Sequence, residues 1–308
     1  MPYIDDATVR RLLPYADAVE AVGVAALQLG PGADTPPRAI RDVRHGQLLL
    51  MPAESASYIG VKLSTVAPAN PERGIPRVQG LYALFDATTM QTLVTIDATE
   101  LTVIRTAATS ALSSRYLSRP DASHLVIFGT GPQAWGHVLA HQAIRPIGTV
   151  GIVGRSPEGV GRLVERIETL GLLAYAATAD DVRSAHIVCT CTTAREPLFA
   201  GSALAADAHV IAIGSHEPHV RELDAATLRG ANIVVEQRAT AWREAGDLIM
   251  ARAEGAIDES SVVADLAELV GGAGISSPRR SVFKSVGMAF EDLAVASLVY
   301  ERMHMGVA

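Results

Sequence analysis

The stretch HLVIFGTGPQAWGH, residues His124 to His137, decides how the rest of the chain is read. Leu125 to Phe128 form a short apolar run that reads as a buried strand, and Gly129-Thr130-Gly131 breaks it. A helix follows, with Pro132 at its first position, where a missing N–H costs nothing. Gly129, Gly131 and Ala134 occupy the three small-residue positions of the dinucleotide fingerprint: a tight turn, a close backbone approach, and close helix–strand packing. The helix start offers backbone N–H groups and partial positive charge to a pyrophosphate, with Thr130 and Gln133 beside it. Thr149 to Val153 (TVGIV) reads as a second strand and Pro157 to Leu170 as a second helix, which completes a βαβ unit.

The residues after TVGIV are Gly154-Arg155-Ser156. An Asp or Glu there accepts hydrogen bonds from the ribose hydroxyls of NAD. Arg155 and Ser156 instead present a guanidinium and a hydroxyl suited to a 2′-phosphate. A charge-assisted hydrogen bond contributes about 1.5–3 kcal/mol, so NADP(H) is the expected cofactor, with NAD(H) as the second choice. The alternative is an Arg155 that is simply solvated.

Outward from this unit the apolar runs continue at Ala174 to Ala176, His186 to Thr190, Val210 to Ile213 and Ile233 to Val235. Their alternation with spacers predicts a Rossmann-type, doubly wound parallel sheet. Before it the pattern differs. Residues 3 to 29 read as helical, with Asp5 and Asp17 as caps. Gln47 to Met51, Tyr58 to Ser64, Gln79 to Phe85 and Thr92 to Asp97 read as strands of an antiparallel or mixed sheet. Glu100 to Leu117 reads as one helix with a small-residue face. The last helix, Phe290 to Met303, is expected to return to the first domain. The predicted architecture is α/β: a substrate-binding and dimerisation domain of α+β type over 1–118 with 280–308, and a dinucleotide-binding domain over 119–279.

The 308 residues suffice for two domains, and 49 % of them are hydrophobic against 19 % charged. With a net charge of −7 and no basic cluster, nucleic acid and anionic membranes are not expected partners. No apolar run reaches the roughly 18 residues of a membrane span, and the polar start MPYIDDATVRRL carries no secretory leader. Cys189 and Cys191 alternate on a strand and are poorly placed to bridge each other. A reducing, cytoplasmic compartment is therefore expected.

Three sets of residues can carry chemistry. Lys62 sits within the apolar strand YIGVKLST, where desolvation lowers an amine pKa and suits it to proton transfer; the alternative is a lysine reaching solvent from an edge strand. Arg105, and Arg38 after Pro36-Pro37, can hold a carboxylate by paired bonds; the alternative is a surface ion pair. His216 follows the run VIAIG, where strand ends line the ligand crevice of such a sheet, and can act as an acid or base. His216-Glu217-Pro218-His219 lacks the further ligands of a metal site, so none is expected.

Taken together the chain resembles the ornithine cyclodeaminase/mu-crystallin family over nearly its whole length. The resemblance is carried by MPA at 51–53, GVK ending at Lys62, LTVIRTAATSA at 101–111, GTGPQA at 129–134, REL at 221–223 and FKSVG at 283–287. It implies a nicotinamide cofactor and a homodimer formed through the sheet of the substrate domain. It implies that Arg38, Lys62 and Arg105 surround the substrate carboxylate and reacting carbon, with Met51 in the same pocket. Thr106 is implied to lie near the cofactor phosphates, and Thr190, Gly214, Lys284 and Gly287 join the cofactor set. Three positions depart from the cyclodeaminase pattern: Leu49 and His216 replace acidic residues, and Arg77 replaces a small hydroxyl residue. A pocket that loses two carboxylates suits a diamine poorly, while Arg77 suits a second acidic group. The family also holds ketimine reductases, alanine dehydrogenases and a hormone-binding lens protein. The expected activity is NADPH-dependent reduction of a small cyclic 2-imino acid. Cyclodeamination and non-catalytic NADPH binding are the alternatives.

Overall fold

The computed structural model describes residues 2–33, 35–275 and 279–305. In chain order the elements begin with β1 (Tyr3–Ile4), α1 (Asp6–Leu12), α2 (Tyr15–Leu29), β2 (Ala39–Val43), β3 (Gly46–Glu54), β4 (Tyr58–Val66), β5 (Val78–Asp86), β6 (Thr92–Asp97) and α3 (Ala98–Leu117). Then come β7 (His124–Phe128), α4 (Pro132–Gln142), β8 (Thr149–Val153), α5 (Pro157–Glu168), β9 (Leu173–Ala176), β10 (Ile187–Thr190), β11 (His209–Ala212), α6 (Ala225–Leu228) and β12 (Asn232–Val235). The chain closes with α7 (Arg238–Glu244), α8 (Gly246–Ala253), β13 (Val262–Asp265), α9 (Leu266–Val270), β14 (Ser281–Lys284) and α10 (Ala289–His304). Among the described residues no single helix is long and apolar enough to cross a membrane.

The chain divides into two compact units: 1–25 with 35–106 and 288–308, and 26–34 with 107–287. The first contains a six-stranded sheet in the order β1-β6-β5-β4-β3-β2. It is antiparallel except for β1, which runs parallel to β6 through Tyr3↔Thr95 and Ile4↔Ile96. Strand alternation sorts its side chains by face. Met51, Lys62 and Tyr82 form one row across β3, β4 and β5, on the buried face against which α10 packs. Leu50, Leu63 and Leu81 form the adjacent row on the other face.

The second unit is the Rossmann-type fold, an eight-stranded sheet in the order β13-β12-β14-β11-β10-β7-β8-β9, parallel throughout. Its central strands are buried over their whole length, as a sheet covered on both faces requires.

Three expectations need correction. Residues 3–29 are not wholly helical, because Tyr3–Ile4 extends the first sheet. Asp5 caps α1, accepting from Thr8 N at 2.8 Å, but Asp17 does not cap α2. That helix starts at Tyr15, behind Pro14, and Asp17 accepts instead from Arg302 Nη2 at 2.7 Å. The substrate domain was expected to resume at residue 280, yet residues 281–284 are β14, seated between β11 and β12 of the parallel sheet. The return to the first unit comes at Met288, and residues 107–118 of α3 likewise fall in the second unit.

Candidate active site

In the first unit the site is built on β4. Its interior place, between β3 and β5, disposes of the edge-strand reading and leaves Lys62 only 3 % exposed. Lys62 Nζ donates to Asp292 Oδ1 at 2.9 Å and lies 2.7 Å from Oδ2. Arg105 donates through Nε to the same Asp292 Oδ1 at 3.1 Å and through Nη1 to Glu291 Oε2 at 2.7 Å. Both carboxylates are fully buried on α10. Two cations and two anions thus satisfy one another where either alone would be costly to bury. Burial, then the Arg105 charge, pulls Lys62 down to about 8 against the opposing attraction of Asp292. An ammonium in that range gives up its proton readily near neutral pH, as an acid catalyst must.

Arg38, half-buried just before β2, belongs to the same neighbourhood, for its charge also bears on Lys62. Met51 faces Lys62 from β3 and is 4 % exposed. Leu49 shares that buried face. Arg77 precedes β5, and its carbonyl accepts a hydrogen bond from Ala67 N at 2.9 Å. Continuing the strand alternation puts it with Leu81, on the face opposite Tyr82 and Lys62, so the structure does not bring Arg77 to this cluster. Thr106, on α3, is buried.

In the second unit the glycine turn has the shape the sequence predicts. Gly129 adopts φ +120°, and a Cβ there would stand 2.4 Å from the Cys191 carbonyl oxygen, so no other residue fits. Gly131 is the N-cap of α4, receives no side-chain cap, and would find open space around a Cβ. An uncapped helix start bordered by open space is what a dinucleotide pyrophosphate needs. Ala134 is fully buried. Gly154 and Gly159 make room for Thr130, whose methyl would lie 2.7 Å from a Cβ on Gly154. Arg155 and Ser156 are exposed beyond β8, and Ser156 Oγ caps α5 by accepting from Gly159 N at 3.2 Å. Gln133 begins α4 behind Pro132.

The remaining cofactor candidates meet buried carboxylates that the residue pattern alone does not announce. Glu222 accepts from Thr190 Oγ1 at 2.7 Å, Thr192 N at 3.0 Å and Gly214 N at 2.8 Å. It ties together the loops beyond β10 and β11, and burial raises its pKa against the opposing pull of Lys284. Lys284 donates to the Ser215 carbonyl at 2.7 Å and pairs with Asp247 at 3.0 Å, so its ammonium anchors the loop after β11. Glu236 accepts from Ser285 Oγ at 2.6 Å and from Gly287 N at 3.0 Å. His216 lies half-buried in the loop after β11, in the second unit, while Lys62 and Arg105 belong to the first. Among the described residues no three His, Cys, Asp or Glu side chains are placed to share a metal ion.

The family model described as ornithine cyclodeaminase/mu-crystallin matches residues 7–306. The chain belongs to that family. A Delta(1)-pyrroline-2-carboxylate reductase of Colwellia psychrerythraea is 34 % identical over 267 residues, covering 84 % of each chain. The Thermococcus litoralis Delta(1)-pyrroline-2-carboxylate reductase, solved with NADH and L-proline, superposes with a TM-score of 0.92 at 30 % identity, over 99 % of this chain and 98 % of that one. The iminosuccinate reductase of Paracoccus denitrificans, solved with NAD+, gives a TM-score of 0.90 at 27 % identity, over 100 % and 98 %. Within this ornithine cyclodeaminase/mu-crystallin chain, REL at 221–223 carries Glu222, so one of the missed carboxylates lay inside a motif already recognised. Glu291-Asp292 had only a weaker signal, two adjacent acids before the apolar stretch Leu293 to Ala296.

Proposed function

We propose that the protein reduces a small cyclic 2-imino acid, of the pyrroline- or piperideine-2-carboxylate type, with a nicotinamide cofactor. The observation that carries this reading is Lys62: an ammonium buried on an interior strand, lowered to about 8, and held beside Arg105 by a shared carboxylate. Arg105 and Arg38 hold the substrate carboxylate, which fixes the orientation of C2 and the imine nitrogen. Lys62 keeps that nitrogen protonated and so makes C2 electrophilic. A bound nicotinamide supplies the hydride. The names of the relatives point the same way: two are imino acid reductases acting on a five-membered ring, and a third reduces iminosuccinate.

NADP(H) is the preferred cofactor in this reading, supported by the absence of a carboxylate at Gly154-Arg155-Ser156. Because Ser156 Oγ serves as the α5 cap, Arg155 is the principal group for the 2′-phosphate. The working form is a homodimer through the leucine-rich face of the six-stranded sheet, where Leu81 is 39 % exposed. Both cysteines are free thiols, which suits a reducing compartment such as the cytoplasm.

The test follows absorbance at 340 nm with NADPH, then NADH, against cyclic and acyclic 2-imino acids. Rapid loss with pyrroline-2-carboxylate or piperideine-2-carboxylate is expected, faster with NADPH. Equal rates with NADH would remove the role of Arg155, and no loss with any imine would remove the reductase reading.

A further inference from the structure

The buried row of the six-stranded sheet contains one polar atom that nothing in the site accounts for. Tyr82 lies directly across from Lys62 on β5 and is fully buried, yet its hydroxyl has no hydrogen-bond partner. Its ring lies over Gly60: a Cβ at that position would stand 2.1 Å from the Tyr82 hydroxyl. The backbone is therefore shaped to admit this ring. A second atom in the same cluster is held by charge alone. Asp292 Oδ2 is buried and accepts no hydrogen bond of good geometry, although it sits 2.7 Å from the Lys62 ammonium as an ion pair. Donor and acceptor are complementary, and the Asp292 charge is felt at the tyrosine, whose pKa it helps burial to raise. Native interiors rarely leave buried polar atoms unmatched, and exceptions call for an explanation.

We propose that Tyr82 is a positioning residue that eases proton release from Lys62 by donating a hydrogen bond to Asp292 once the ammonium has become an amine. The proposal rests on the reading of Lys62 as the proton donor. In that step the proton leaves Lys62 Nζ for the imine nitrogen, the N–H electron pair stays on Nζ, and the positive charge passes to the substrate. Asp292 then faces a neutral amine and has lost part of the field that held it. Arg105 and Arg38 remain as cations around Lys62, and Glu291 remains paired to Arg105. The Tyr82 hydroxyl is a buried donor without a partner beside this set, and its bond to the carboxylate lowers the energy of the deprotonated state.

Lys62 and Lys284 are the only lysines in the chain, so lysine labelled with 13C at Cε gives two side-chain signals, and Lys62→Met assigns them. The Lys62 titration is compared in the full-length wild type and Tyr82→Phe, alongside the pH profile of imine reduction and thermal unfolding. Phenylalanine keeps the ring over Gly60 and removes an unmatched hydroxyl, so the melting temperature should hold or rise. The Lys62 pKa should rise by about one unit, the size expected of a hydrogen bond to a charged group. The alkaline limb of kcat/KM should move up with it, and kcat should fall several-fold. An unchanged Lys62 titration overturns the proposal, whatever happens to KM or stability. If the wild type reduces no imine, the functional reading fails on its own, and the two titrations still decide the role of Tyr82.

Discussion

Every other cationic side chain in this protein is an arginine or a histidine; the two lysines are both buried beside an aspartate. Arginine stays charged at all working pH, whereas an amine can release its proton. Lys62 is therefore the residue on which a pH effect should be written. As a proton donor it works in its ammonium form, so the rate of imine reduction should fall as pH rises through about 8. The reverse reaction needs the amine and should rise through the same range. Lys62→Met should abolish turnover while dinucleotide fluorescence titrations still show binding. A reduction rate flat from pH 6 to 10, or a Met variant of normal activity, would remove Lys62 from the chemistry. At this scale the sequence revealed the cations better than their partners. An amine inside YIGVKLST and an arginine inside LTVIRTAATSA stand out against apolar neighbours. Asp292 and Glu291 come from a helix far along the chain, and nothing local announces that they meet Lys62 and Arg105.

The α3 and α4 helices share a rail of buried serines and histidines. Spaced four apart on α4, His137 and His141 stack, and each Nδ1 meets the carbonyl four residues back, at 2.7 Å. Their Nε2 atoms meet Ser110 and Ser114, also four apart on α3, at 2.9 Å each. His209, on β11, bonds Ser281 at 2.9 Å and Ser113 at 3.3 Å. Burial lowers these imidazoles to about 4, 3 and 3 respectively. Because the unfolded chain protonates near pH 6.5 and the folded one much lower, the unfolded state gains protons first as pH falls. Stability should be fully present above pH 6.5 and should be lost progressively toward pH 4, by several kcal/mol in all. Thermal melts at pH 8, 6 and 5 should show a steep fall in the second step; a flat midpoint would mean these histidines are protonated in the folded state. Elements with a strong period were legible: the glycine turn, α3, and the strands β3 to β6 all lie within a few residues of their expected bounds. Tyr3–Ile4, Val262–Asp265 and the sheet position of β14 were not, because a two- to four-residue strand shows no period and its place is set by distant partners.

At the scale of the molecule, two sheets divide the labour: one positions the Lys62 row, the other carries the glycine turn. The first sheet also displays Leu50, Leu63 and Leu81 in register on the face away from Lys62. A partly exposed apolar face of that kind marks an interaction surface, so sedimentation should give a dimer, and Leu63→Lys with Leu81→Lys should give a monomer. A wild-type monomer at micromolar concentration would contradict the assignment of that face. The α/β class and the presence of a parallel sheet were readable from alternation alone. The exact crossing points between the units were not, since helix α3 runs through one boundary without a break. The central claim is that a hydride reaches C2 of an imino acid held by Arg38, Lys62 and Arg105. Its most direct test uses reduced cofactor carrying deuterium at both C4 positions of the nicotinamide ring, pyrroline-2-carboxylate, and mass spectrometry of the product. The account predicts L-proline carrying one deuterium at C2, with the cofactor oxidised in equal amount. Unlabelled proline, or proline formed only from ornithine with release of ammonia, would contradict it.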